Sequence, residues 1–413
     1  MRWRIALLVS AAIAISYLDR QTLPWAIAVI GRDFTISNQM KAFLDSAFLV
    51  TYGLMYIGGG RLTDALGTRR GFLVIMLFWS LACASHGLAS GVLMLAASRL
   101  LLGVGEGGGF PAATRAVTEW FPVNERSTAM GIVNAGTAVG GVIAPPLIMF
   151  VLTKANWFGL APWRWVFFIT GALGLLWTLW WWLDYFPPER RGAAAATAAP
   201  PEAAEPLIPI RTLLRYREIW AVVIAKFLSD GAWYFYLFWL PKFLFDTFQL
   251  DLKTAGGIGW IPYAASGVGC LCGGGLSSWL LRRGRSVNAA RKIALGASAA
   301  LMPWVMIVPH LHSVGWVLFL FSLAFFGQQS WSTLIMILPT DMIPKRAVGT
   351  LAGLVGFGGA MGGVLLGQVV GYLRDHGASY TPVLMISGSL HVIAFAIICL
   401  AIPSLKPCAL PKP

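Results

Sequence analysis

Apolar runs of about 20 residues recur along almost the whole chain, separated by short polar or Gly/Pro-marked turns, and each is long enough to cross a bilayer as a helix. Their apolar positions are continuous and lack the period-two alternation of a barrel strand. Hydrocarbon leaves only helices and closed barrels able to satisfy a backbone, so the runs predict helices. About twelve of them can be read. The expected fold is an all-α membrane protein with twelve transmembrane helices in two pseudo-symmetric six-helix bundles.

The pattern breaks between Pro187 and Arg211, where Pro-Pro-Glu-Arg-Arg gives way to alanine, proline and glutamate. That stretch is too poor in large apolar groups to bury a core. It divides the chain into a bundle over 1–187, a cytoplasmic linker over 188–217 and a second bundle over 218–413. The halves echo each other. FPVNERSTAMGIVNAGTAVGGV around Pro122 aligns with IPKRAVGTLAGLVGFGGAMGGV around Pro344, an offset of 344 − 122 = 222 that places Gly131, Gly136 and Gly140 on Gly353, Gly358 and Gly362. Duplicated halves around a central site are a transporter plan. The small-residue spacing also suits close helix approach in lipid.

Composition agrees: 57% of the 413 residues are hydrophobic and 12% charged, with a mean hydropathy of +0.71. A polar surface could not be covered with so few charges. The net charge of +14 would suggest nucleic acid in a soluble chain, but the cations gather at helix ends, at Arg2/Arg4, Arg61/Arg69/Arg70, Arg190/Arg191 to Arg217, Arg282 to Lys292 and Lys345/Arg346. Each cluster follows an even number of spans, so the positive-inside rule predicts that these loops and both termini are cytoplasmic and excludes a nucleic-acid partner. The opposite loops, including that between Gly31 and Lys41, are expected to carry few cations. No cleavable signal is expected, because the first apolar stretch runs past signal length. The five cysteines are scattered, and Cys270/Cys272 lack other soft ligands. No metal and no cofactor are expected.

A charge inside a span costs about 2.5–3.5 kcal/mol on insertion scales, so each such residue needs a wet cavity or a partner. The first span holds Tyr17, Asp19 and Arg20; the fourth holds Arg99 and Glu106, seven residues apart and therefore on one helical face. The offset of 222 carries Glu106 to Gln328. This predicts that the amino-terminal half supplies the ionisable groups, while Gln328, Gln329 and Ser332, with Trp331, add neutral hydrogen-bonding and stacking groups. The seventh span adds Lys226, Asp230, Trp233 and Tyr234, and Tyr52, Asn134 and Thr137 are further candidates for lining a cavity. The five histidines lie near helix ends or alone and form no nucleophile–base set, which argues against an enzyme.

Between the second and third spans stands GRLTDALGTRRG. It resembles the signature loop of the major facilitator superfamily at Gly60, Leu62, Asp64, Gly67, Arg69 and Arg70. In the second half Ser278 stands where the aspartate would be, which puts a symmetric gating role there in doubt. YLDR at Tyr17 to Arg20, RLLLGVGEGGGFP, and WRWVFFITGALGLLW followed by FPPER resemble the anion:cation symporter family. LLRYREIWAVVIAKFLSDGAW and GCLCGGGL are most similar to bacterial hexuronate transporters. Beside the substrate-binding candidates read from the residues themselves, Tyr17, Tyr52, Asn134, Thr137, Trp233, Tyr234, Gln328, Gln329 and Ser332, the resemblance implies carboxylate binding by Arg20 and Arg99. It implies proton coupling by Asp19 and Glu106, and gating by Gly60, Asp64, Gly67, Arg69, Arg70 and Arg126. Gly107 to Gly109 depart from the family's pattern, so local helix geometry near Glu106 is expected to differ.

The expected function is proton-coupled symport of a sugar-acid anion, such as galacturonate or glucuronate, across the cytoplasmic membrane by alternating access. The protein would act as a monomer whose partners are a small organic anion, protons and the bilayer. The rival readings are a carrier of another organic anion (an aldonate, aromatic or dicarboxylic acid) and an organic-phosphate antiporter.

Overall fold

The computed structural model describes residues 1–186, 210–343 and 345–405, leaving most of the expected linker outside the described residues. All regular structure in them is helical. The order is α1 (Arg2–Asp33), α2 (Asn38–Ser85), α3 (Val92–Gly107), α4 (Gly109–Trp120), α5 (Val123–Lys154), α6 (Pro162–Asp184), the short α7 (Ile210–Leu213) and α8 (Arg217–Phe248). Then come α9 (Leu252–Ile258), α10 (Ile261–Arg282), α11 (Val287–Ala299), α12 (Val314–Ile335), α13 (Leu338–Met342), α14 (Lys345–Asp375) and α15 (Thr381–Ala401). Among the described residues, ten stretches are long and apolar enough to cross a membrane. The two further segments read from the sequence are α1 and the amino-terminal part of α2. Asp19/Arg20 and Lys41/Asp45 lie inside them and lower their hydropathy.

The second and third spans join without an open loop. The helix runs 48 residues from Asn38 to Ser85 and is interrupted at Gly67, whose φ of 74° and ψ of 160° lie outside the helical region. An added Cβ there would meet nothing within 4 Å, so the demand for glycine is one of backbone conformation rather than space. Ser37 starts α2 by accepting the Met40 amide at 3.1 Å, and Asp251 starts α9 in the same way from Thr254 at 2.7 Å, which satisfies donors that a helix start leaves free.

The described residues fall into two compact units. The first takes residues of Met1–Pro201 and Phe238–Trp260, the second those of Glu202–Leu237 and Ile261–Pro413. In the first, α5 lies against α1 so closely that a Cβ on Gly140 would collide with the Ala14 carbonyl oxygen. In the second, α14 approaches α8 with Gly362, and a Cβ there would strike the Phe227 carbonyl oxygen. Gly140 and Gly362 are the pair related by the offset of 222. The glycine echo in the sequence is thus one backbone-to-backbone contact built twice, the small-residue packing that lipid favours.

Candidate functional site

The first unit buries a charged cluster on α1, α2 and α3. Arg20 Nε donates to Glu106 Oε2 at 2.6 Å, and Ser16 Oγ donates to the same oxygen at 2.7 Å. The two ion-pair side chains are 2% and 0% exposed. Asp19 accepts from Trp79 Nε1 at 2.7 Å. Further along, Lys41 Nζ donates to Asp45 Oδ2 at 2.6 Å, and the Arg99 guanidinium reaches Asp45 Oδ1 at a looser 3.8 Å. Arg99 is wholly buried, yet none of its three side-chain nitrogens has a hydrogen-bond partner in the protein. Aromatic rings wall these cations in: Arg20 lies 4.2 Å from the Tyr52 ring centroid and 4.8 Å from Tyr17, while Lys41 lies 4.2 Å from Trp239. Such placements are attractive for a desolvated cation.

Local sequence explains the setting. α3 stops at Gly107, one residue past Glu106, and the Gly108 amide bonds back to the Gly105 carbonyl at 3.3 Å before α4 starts at Gly109. Arg99 and Glu106 share the buried face of α3. Asn134 and Thr137, half-buried on α5, are joined by a bond from the Thr137 hydroxyl to the Asn134 carbonyl at 2.8 Å.

At the Gly67 turn, Arg69 donates to the Trp182 carbonyl at 2.7 Å, with its guanidinium over the rings of Trp182 and Phe186 at 4.1 and 4.0 Å. Arg70 is exposed. Arg126 closes the end of α4 by donating to the carbonyls of Phe121 and Thr118, both at 3.0 Å. The surroundings of Gly60 and the side chain of Asp64 lie outside what the structure describes. Glu119, which sequence reading passed over, is the hub of this region: it accepts from Thr68, from Tyr185 Oη at 2.6 Å and from Arg115 at 3.3 Å. Burial and the Glu119 charge push the Tyr185 hydroxyl far above its ordinary range, so it stays a donor.

The second unit corrects one expectation. Its polar groups are not all neutral: Lys226 and Asp230 form an ion pair at 2.9 Å on α8. Lys226 also donates to Ser332 at 3.0 Å, and Gln328 donates to Asp230 at 3.2 Å. His391, isolated in sequence, is fully buried and bonded to Gln328. Trp233 and Tyr234 are buried on α8, Trp233 edge-on to Phe325 at 5.2 Å, and Gln329 is half-buried on α12. The loss of the signature aspartate at Ser278 does not leave this unit without a charge node: Arg291 pairs with Asp341 at 2.9 Å and donates to Ser277 at 2.9 Å. Asp341 is Glu119 plus 222. Lys41, counted in sequence as belonging to an outer loop, is 1% exposed and inside the fold.

This all-helical architecture, with its paired glycine contacts and buried charges, is that of a multi-pass membrane carrier. The chain matches the Major Facilitator Superfamily over residues 9–367 and belongs to that family, whose members are transporters and not enzymes. It is 32% identical to a Cupriavidus necator protein named "Probable sulfoacetate transporter", over 91% of this chain and 88% of that one. It is 27% identical to the Escherichia coli K12 hexuronate transporter over the same shares, and 31% identical to the Dickeya chrysanthemi galacturonate transporter over 73% and 89%. Among solved structures it resembles an inward-facing, occupied bacterial homolog of the human lysosomal transporter Spinster, with a TM-score of 0.76, 19% identity and 96% of each chain covered.

Proposed function

We propose that the protein is a proton-coupled symporter of a small organic acid of the sugar-acid class, with a hexuronate as the reading the resemblance favours. The observation that carries this is the buried pairing of Arg20 with Glu106 beside an Arg99 that no protein group hydrogen-bonds. Arg20, Lys41 and Arg99 face Asp19, Asp45 and Glu106, three cations against three acids. Protonating Asp19 and Glu106 would leave two positive charges uncompensated. Guanidinium is the group that matches a carboxylate with two parallel donors. A pair kept for stability alone would be a poor choice, since buried ion pairs seldom stabilise.

In this reading Tyr17, Tyr52, Asn134, Thr137, Trp233, Tyr234, Gln328, Gln329 and Ser332 complete the substrate contacts. Arg69, Arg70, Arg126 and the Gly67 turn belong to the gate of an alternating-access cycle. The protein works as a monomer in the cytoplasmic membrane with both termini inside. Relatives named for hexuronate and galacturonate support the sugar acid; the relative named for sulfoacetate favours, as a second reading, a smaller acid. Counterflow by purified protein in liposomes against galacturonate, glucuronate, galactonate, sulfoacetate and phosphate esters tests the substrate. Uptake that ignores an imposed pH gradient would remove proton coupling.

A further inference from the structure

The second unit holds a charged cluster for which proton coupling through Asp19 and Glu106 has no use. Lys226 Nζ lies 2.9 Å from Asp230 Oδ1 and 3.0 Å from Ser332 Oγ on α12. Gln328 Nε2 donates to Asp230 at 3.2 Å, so its carbonyl oxygen is left to accept from His391 Nε2 on α15, and the histidine must carry its proton on that nitrogen. Two side chains, Lys226 and Gln328, therefore hold one carboxylate, and Ser332 and His391 brace them from behind. Stability does not account for them, because a buried ion pair on its own costs about as much in desolvation as it returns.

Exposure separates this pair from those of the first unit. Its side chains keep 8% and 10% exposure, against 2% and 0% for Arg20 and Glu106 and 1% and 3% for Lys41 and Asp45. α8 is otherwise enclosed, with 83% of its most apolar stretch buried in protein. The pair is thus less tightly sealed than those of the first unit, on a helix that is otherwise enclosed. There Asp230 offers Lys226 what an organic acid would offer: a carboxylate oxygen within hydrogen-bonding reach of an ammonium that also holds the Ser332 hydroxyl.

We propose that Lys226, with Ser332, recognises a second acidic group on the substrate, and that Asp230 is its internal stand-in when no substrate is bound. This rests on the organic-acid reading above and shifts its preferred substrate from a hexuronate, which bears one anionic group, to a small acid bearing two, a carboxylate with a second carboxylate or a sulfonate. The incoming oxyanion takes the place of Asp230 at the ammonium. Gln328, braced by His391, keeps a hydrogen bond to the displaced carboxylate so that it is not stranded.

The test compares glucuronate with glucarate, and galacturonate with galactarate, as competitors in counterflow by the full-length protein in liposomes. Each pair shares a carbon skeleton and differs in having one carboxylate or two. Wild type should show half-inhibition by the dianion at a concentration about tenfold below that of the monoanion. Asp230→Asn removes the stand-in and should lower the dianion value further, whereas a purely structural ion pair predicts weaker competition by both acids equally. Lys226→Gln combined with Asp230→Asn keeps the cluster neutral, protects the fold, and should bring the two acids within about twofold of each other. A dianion preference that survives in the double variant, or is missing from wild type, overturns the inference while leaving the transport reading in place. A wild type that exchanges none of the four acids overturns that reading, and the inference with it.

Discussion

Replacing Glu106 with glutamine isolates the step on which coupling depends. The amide is nearly isosteric, and its oxygen can still accept from Ser16 and Arg20, which lie 2.7 and 2.6 Å from the carboxylate oxygen. What disappears is the charge. Two unit charges about 4 Å apart attract by about 4 kcal/mol at an effective dielectric of about 20. At about 1.4 kcal/mol per factor of ten, releasing Arg20 from that attraction is worth up to about a thousandfold in its availability to an anion. Glu106→Gln should therefore bind its acid more tightly than wild type at alkaline pH and lose most of the pH dependence of binding. It should retain counterflow, which needs no net proton movement, and lose accumulation driven by an inward proton gradient. Binding titrations across pH and paired liposome assays with and without the gradient read these out, with a melting curve to confirm folding. Gradient-driven accumulation at the wild-type level would refute the reasoning.

Tyr185→Phe removes a donor to the Glu119 carboxylate and should cost about 1.5–3 kcal/mol, the worth of a hydrogen bond to a charged group, measured as a lower melting temperature in detergent. Gly362→Ala drives a methyl group into the Phe227 carbonyl, an overpacking that costs typically about 1–3 kcal/mol, and Gly140→Ala should do the same against Ala14; melting temperatures matching wild type would show that the helices can part at no cost. The Thr254 amide, aided by Lys253, holds the exposed Asp251 carboxyl below its ordinary range, so its capping contribution is complete above that range and fades as pH falls through the folded value. Asp251→Ala should accordingly lower the melting temperature at neutral pH and converge with wild type in acid, while Asp251→Asn keeps the cap without the pH dependence.

Much of this was legible in the residues. The apolar runs announce the spans because hydrocarbon tolerates nothing else, and the glycine echo at 222 announces the α1–α5 and α8–α14 contacts because only glycine permits such approach. Asp19, Arg20, Arg99 and Glu106 stand out as charges that an apolar run cannot ignore. Their partners do not, since pairing depends on which helix faces which. Arg20 meets Glu106 across 86 positions of sequence, and Trp79, the partner of Asp19, looks like any of 19 tryptophans. Lys41 and Asp45 sit near a helix start and read as turn charges until the fold closes over them. His391 is isolated in sequence, and only the packing of α15 brings it to Gln328.

The left-handed residue in α2 has a mechanical consequence. Two helical segments joined at the Gly67 kink carry Asp45, which holds Lys41 and Arg99, on one side and Trp79, which holds Asp19, on the other. The torsion at a single backbone position sets the phase between those two grips, like a throw on a crankshaft. A side chain there pays on the order of 1–3 kcal/mol to hold a conformation that is essentially glycine's alone, and if the torsion relaxes, one grip turns relative to the other.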